Sequence, residues 1–171
     1  MERDFVEFVR SRQQSLMRSA YLLTGDAHQA EDLLQTVLTR VARHWRKLAK
    51  DGNPEAYARR SLINEHISWR RRRRFTDVPS ASLPERGYDS GDQSLHRITL
   101  QEALARLTPR QRAVLVLRFY EDRTVEEAAD LLGCSEGTVK SQTHHALGRL
   151  RALAPELAEL LHDADPQEAN R

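Results

Sequence analysis

Cysteine is nearly absent: Cys134 is the one thiol in 171 residues. A single thiol excludes an internal disulfide and leaves no thiolate set for a structural zinc. No apolar run approaches membrane-spanning length, and the N-terminus lacks the pattern of a secretory signal. The expectation is a cytoplasmic chain without membrane insertion. Catalytic constellations are missing as well. The sequence holds no glycine-rich phosphate loop and no serine elbow. His28, His44, His66, His96 and His162 are scattered. His144 and His145 are adjacent, so on a helix they point about 100° apart and do not readily share a metal. No enzyme, cofactor, metal site or small-molecule substrate is expected.

Charge is present in quantity but unevenly placed. Residues 1–75 carry 16 Lys/Arg against 9 Asp/Glu, and residues 76–95 carry 1 against 4. Residues 96–154 carry 9 against 7, and the tail from 155 carries 1 against 5. A basic N-terminal part and an acidic tail suit a protein that meets a polyanion at one end.

The apolar periodicity predicts an all-α chain of two small helical domains on a flexible linker. Phe5, Val9, Leu16, Ala20 and Leu23 fit one face of a first helix, broken by Thr24-Gly25-Asp26. Ala30, Leu34, Val37, Val41, Trp45 and Leu48 mark a second. Asn53 can cap a third, with Pro54 at its first position, running to about Arg74. Residues 76–95, with Pro79, Pro84, Gly87 and Gly91, read as the linker. The second domain, 96–154, opens with Leu100, Ala103, Leu104 and Leu107 on one face. Thr108-Pro109-Arg110-Gln111 combines a capping box with proline at the first helical position. Ala113 to Leu117 is apolar nearly all round and should form the core of that domain. Residues 155–171 form an acidic tail expected to fray.

Thr124 to Leu150 reads as a helix-turn-helix. Thr124 and Glu127 form a capping box, and Val125, Ala128, Ala129 and Leu132 share one face. Gly133 can adopt the left-handed conformation that ends the helix, and Ser135 can cap the next one. There Val139, Ala146, Leu147 and Leu150 face inward, leaving Lys140, Ser141, Gln142, His144 and His145 outward. Amide, hydroxyl, imidazole and ammonium groups suit phosphates and base edges. A helical hairpin with a solvated polar face is the plainer alternative.

The third helix ends on Trp69 and five consecutive arginines, Arg70, Arg71, Arg72, Arg73 and Arg74. Five arginines in helical register make a collar able to hold phosphates on more than one strand, and Trp69 offers a stacking face for a base. Alternatively, Trp69 anchors a core and the arginines are a helix end favoured by its dipole. Asp32 and Gln35 lie one turn apart beside the apolar stripe of the second helix. Their spacing alone reads as a solvated polar edge.

Over about residues 3–153 the chain resembles extracytoplasmic-function (ECF) RNA polymerase sigma factors, with wording close to the actinobacterial SigE-like branch. Four segments carry the resemblance: Gly25 to Gln35, Tyr57 to Asn64, Leu107 to Val114, and Gly133 to Ser141. It implies sigma region 2 over residues 1–75 and sigma region 4 over 96–154. It makes Asp32 and Gln35 polymerase contacts. It places Arg60 and Asn64 in the segment that melts and reads the minus-ten element, with Asn64 capturing a flipped base as a buried amide. Thr138 and Arg149 join the outward residues that meet the minus-thirty-five element. Gln142 and His145 stand where family members often carry arginine, and glutamine reads adenine better than guanine.

The implied partners are core RNA polymerase and promoter DNA, with an anti-sigma factor a further candidate. The implied function is to direct polymerase to promoters and promote melting. Two other classes compete. One is a helix-turn-helix regulator that does not join polymerase, which leaves residues 57–75 unexplained. The other is a pure protein-interaction module, which needs no basic collar.

Overall fold

The computed structural model describes residues 2–76 and 100–163, and among these every regular element is helical. Three long helices form the N-terminal unit: α1 (Glu2–Thr24), α2 (Ala27–Asp51) and α3 (Pro54–Thr76). Residues 100–105 form α4, followed by α5 (Pro109–Leu115) with a π-helical turn at Val116–Tyr120. Then come α6 (Val125–Leu132), α7 (Glu136–Leu153) and α8 (Pro155–Asp163).

The caps lie where local sequence chemistry puts them. The Asp26 carboxylate accepts from Gln29 N at 2.9 Å and starts α2, while Asn53 Oδ1 accepts from Ala56 N at 3.0 Å at the start of α3. Both predicted capping boxes are formed, Thr108 with Gln111 and Thr124 with Glu127. The hydrogen bond from the Thr124 backbone N–H, foremost, holds the Glu127 carboxyl below its ordinary range. Gly133 takes the left-handed conformation (φ 63°) that closes α6, and the Ser135 hydroxyl accepts from Thr138 N at 3.2 Å to open α7.

In the N-terminal unit α2 packs between α1 and α3. Leu16, Ala20 and Leu23 of α1 are buried with Leu34, Val37 and Val41 of α2 and Ala58, Leu62 and Ile63 of α3. Phe5 meets Trp45 edge-on with ring centroids 5.2 Å apart, and Phe8 lies at 5.4 Å from the same indole. The C-terminal unit has its own smaller core of Leu104, Leu107, Leu115, Leu147 and Leu150.

Four differences from the sequence expectation have physical causes. First, the two units are packed together: α3 lies on α5 and α6, and Val114, Leu117, Val125, Ala128 and Val139 belong to the same apolar cluster as Leu16 and Leu62. The all-round apolar character of residues 113–117 thus serves two cores. Second, α5 widens at Val116, where Glu121 N donates to Val116 O at 2.9 Å, five residues back. Third, the acidic tail is helical as far as Asp163, because Pro155 suits a first helical turn and Leu157 packs against the small core. Fourth, α3 runs to Thr76, two residues past its expected end. The expected linker, 76–95, lies outside the described residues apart from its first.

The turn at Gly133 is open: a Cβ added there meets nothing within 4 Å. Gly133→Ala therefore costs backbone strain alone, about 1–2 kcal/mol. Urea unfolding is expected to show a lower midpoint at unchanged slope, with Gly133→Asn intermediate between alanine and the parent. A parent-like midpoint for the alanine variant counts against the left-handed cap.

Candidate nucleic-acid interface

Helix α7 turns one face inward and one outward. Val139, Thr143, Ala146, Leu147 and Leu150 are buried, and the Thr143 hydroxyl donates to Val139 O at 2.8 Å. Lys140, Ser141, His144, His145 and Arg149 are exposed, and Gln142 is half-buried. Thr138 is also half-buried, with its hydroxyl 2.9 Å from that of Ser135. The outward side therefore carries the expected residues, with Thr138 and Gln142 at its margins. The His144 and His145 rings stand 5.9 Å apart at 68°. No group of three or more metal-capable side chains occurs among the described residues.

The residues of α3 divide between faces. Asn64 is exposed rather than buried, so any pocket for a flipped base needs walls beyond those its own helix supplies. Trp69 and Arg70 are half-buried and Arg71 and Arg72 exposed. The side chains of Arg73 and Arg74 lie outside the described set. Arg72 reaches back to Glu65 at 2.6 Å, and Glu65 also holds Arg40 of α2 at 2.5 Å. A half-buried carboxylate thus ties the collar to the neighbouring helix. Arg60 is exposed and donates to the carbonyl of Asp130 at the end of α6.

On α2, Asp32 and Gln35 are exposed above buried Leu33, Leu34 and Val37. Their backbone carbonyls accept from the Thr36 and Thr39 hydroxyls at 2.9 and 2.8 Å. The polar edge read from the sequence sits on a rigid helix.

Sequence reasoning missed the groups between the two units. Glu121, just past the π-helical turn, accepts from the Ser19 hydroxyl of α1 at 2.6 Å and pairs with Arg59 of α3 at 2.7 Å. Arg112 of α5 is buried, donating from Nε to Leu22 O at 2.5 Å and from a terminal nitrogen to Gln101 at 3.0 Å. It so reaches a carbonyl near the negative end of α1. Burial first, and then the nearby Arg70 against the opposing influence of Tyr21, bring its guanidinium to about 10. His66 of α3 is fully buried, and neither ring nitrogen has a hydrogen-bond partner. Local sequence carries little signal for these groups, because Glu121 lies 102 positions from Ser19 and Arg112 lies 90 from Leu22.

A helix-turn-helix with an open polar face, joined to a bundle whose last helix ends in arginines, defines a modular DNA-binding protein. Comparison with known proteins narrows the class. Residues 8–76 match Sigma-70 region 2, and residues 103–152 match Sigma-70, region 4. The chain is 45% identical over 149 residues to the RNA polymerase sigma-E factor of Streptomyces avermitilis, covering 86% of this chain and 83% of that protein. It is 35% identical over 148 residues to the ECF RNA polymerase sigma factor SigL of Mycobacterium tuberculosis, covering 83% and 84%. Among solved structures it is similar to the sigma factor RpoE of Bartonella quintana, crystallised in complex with the anti-sigma factor NepR. There the TM-score is 0.68 at 27% identity, over 90% of this chain and 98% of that one. The chain belongs to the ECF RNA polymerase sigma factors, a regulatory class. No helix among its described residues is long and apolar enough to cross a membrane.

Proposed function

We propose that this chain binds core RNA polymerase through α2, reads the minus-ten element with α3 and the minus-thirty-five element with α7, and promotes melting at the former. The observation that carries the reading is the pairing of two exposed polar faces, on α3 and α7, with matches to both sigma regions. A regulator that stays off polymerase accounts for α7 but not for the basic end of α3. The fold it shares with a sigma factor solved in an anti-sigma complex favours a protein partner of that kind here. Its regulatory action needs no chemistry of its own. The work is done in the cytoplasm, where polymerase and promoter are.

Asp32 and Gln35 are the proposed polymerase contacts, and Arg60, Asn64, Trp69 and Arg70 to Arg74 the proposed minus-ten and melting group. Thr138, Lys140, Ser141, Gln142, His144, His145 and Arg149 form the proposed minus-thirty-five group. Elements 25 base pairs apart are separated by roughly 85 Å of straight duplex, whereas α3 touches α6 directly through Arg60 and Asp130. The units must therefore part before both elements are read together.

Asp32→Ala with Gln35→Ala is expected to weaken binding to core polymerase by about 1–3 kcal/mol while leaving helical content and melting unchanged. Competition for core against the parent chain is the measurement, and equal competition removes the assignment.

Asn64→Ala is expected to lower open-complex formation more than initial promoter binding. Permanganate reactivity of the melted bases reads the first and mobility shift of holoenzyme the second. Equal permanganate reactivity assigns Asn64 a surface role only.

Gln142→Ala should relax preference at one upstream position, because a bidentate amide–adenine pair discriminates by about 1–3 kcal/mol. Lys140→Ala should weaken binding on every sequence and make the salt dependence shallower by about one unit of slope. Transcription on an upstream-element library at several salt concentrations separates the two. A uniform loss for Gln142→Ala makes that residue a backbone contact.

A further inference from the structure

Four residues of α3 fall on one stripe at helical spacing: Arg59, Ile63, His66 and Arg70. Both ends of the stripe meet the C-terminal unit. Arg59 pairs with Glu121 at 2.7 Å, and Arg70 lies close enough to Arg112 to oppose its charge. Ile63 is buried in the cluster that the two units share. His66 sits between them, fully buried, with no hydrogen-bond partner at either nitrogen. We propose that His66 makes the closed arrangement of the two units acid-labile, because a proton on its imidazole forces the seam between α3 and α5 apart.

The charges around the ring decide this. On its own helix the near group is Arg70, and from α5 it is Arg112. Arg112 is held against α1 by Leu22 O, and α1 contributes Tyr21 beside that same guanidinium. Among the described residues, the seam carboxylate Glu121 is engaged with Ser19 and Arg59 farther along the stripe. Glu65, the residue before His66, points about 100° around the helix from it and is occupied by Arg40 and Arg72. A protonated His66 would thus bring a further positive charge beside Arg70 and Arg112, with no acceptor for it among the described residues. A neutral ring leaves its two nitrogens without partners but brings no charge into the seam.

Burial, then Arg70 and Arg112, hold the ring to about 3 in the closed form. When the units part, the stripe meets water and the ring recovers an ordinary value near 6.5. A group depressed in the closed state favours closure fully above its open-state value and ceases to do so as pH falls below it. The closing equilibrium should therefore weaken about tenfold per pH unit below 6.5, or about a hundredfold by pH 4.5.

The test uses the full chain alone, with neither polymerase nor DNA, so its result is separate from that of the promoter-reading assignments. Small-angle scattering from pH 7.5 to 4.5 gives the radius of gyration, and circular dichroism on the same samples gives helical content. The parent chain is expected to expand below pH 6.5 with its helices retained. His66→Leu and His66→Gln, which cannot take up that proton, are expected to stay compact to lower pH. Three results overturn the proposal: a parent chain of constant radius across the range, one already expanded at pH 7.5, or variants that expand at the same midpoint. If neither variant folds, the C2 proton of His66 in the parent decides by NMR. Protonation in step with expansion supports the proposal, and a ring that titrates near 6.5 while the radius stays constant overturns it.

Discussion

The arrangement of this molecule depends on the burial of a few ionic groups between two apolar helical units. Glu121 is the anion, held by the Ser19 hydroxyl and the Arg59 guanidinium. Arg112 is the cation, satisfied by a carbonyl near the end of α1 and by Gln101. Removing one partner from such a pair leaves a buried charge uncompensated, at a cost of about 3–5 kcal/mol, whereas apolar groups of the same shape can replace the whole pair with little loss. These contacts therefore contribute direction more than strength. Apolar burial brings α3 against α5 and α6, and the charged groups choose among the ways it can lie there.

That division accounts for what the seam covers and what it leaves open. The outward faces of α7 and α2 are clear of it, so Lys140, His144, Asp32 and Gln35 remain exposed in the closed arrangement. Arg60 is the exception, a residue proposed to meet DNA that here spends a donor on the Asp130 carbonyl. Closure of the units and minus-ten recognition compete for that one side chain.

Local features of the fold were legible because each is settled by a few neighbouring residues. Thr124 with Glu127, Thr108 with Gln111 and the glycine at 133 each define their turn without help from the rest of the chain. The stripe Val125, Ala128, Ala129 and Leu132 was equally plain, and all four are buried. The outward residues of α7 followed by subtraction. Asn64 was not legible in the same way: its place on the helix was clear, but exposure depends on which neighbours arrive beside it. His66 looked like one of several scattered histidines, since nothing near it in sequence announces Arg112. Leu157 looked like part of a fraying acidic tail because the apolar cluster it packs against is built mainly by residues far from it in the chain, among them Leu104 and Leu115.

The π-helical turn at Val116–Tyr120 sets the phase of everything after it. A helix gains about 100° of rotation with each residue, so one residue more or fewer in that turn would swing Glu121 around the axis and away from Ser19 and Arg59. The segment is in this sense a gear tooth. Substitutions along it can be absorbed one side chain at a time, but a change of length cannot, and the distance between Arg112 and Glu121 in the chain is as much a part of the seam as the two charges themselves.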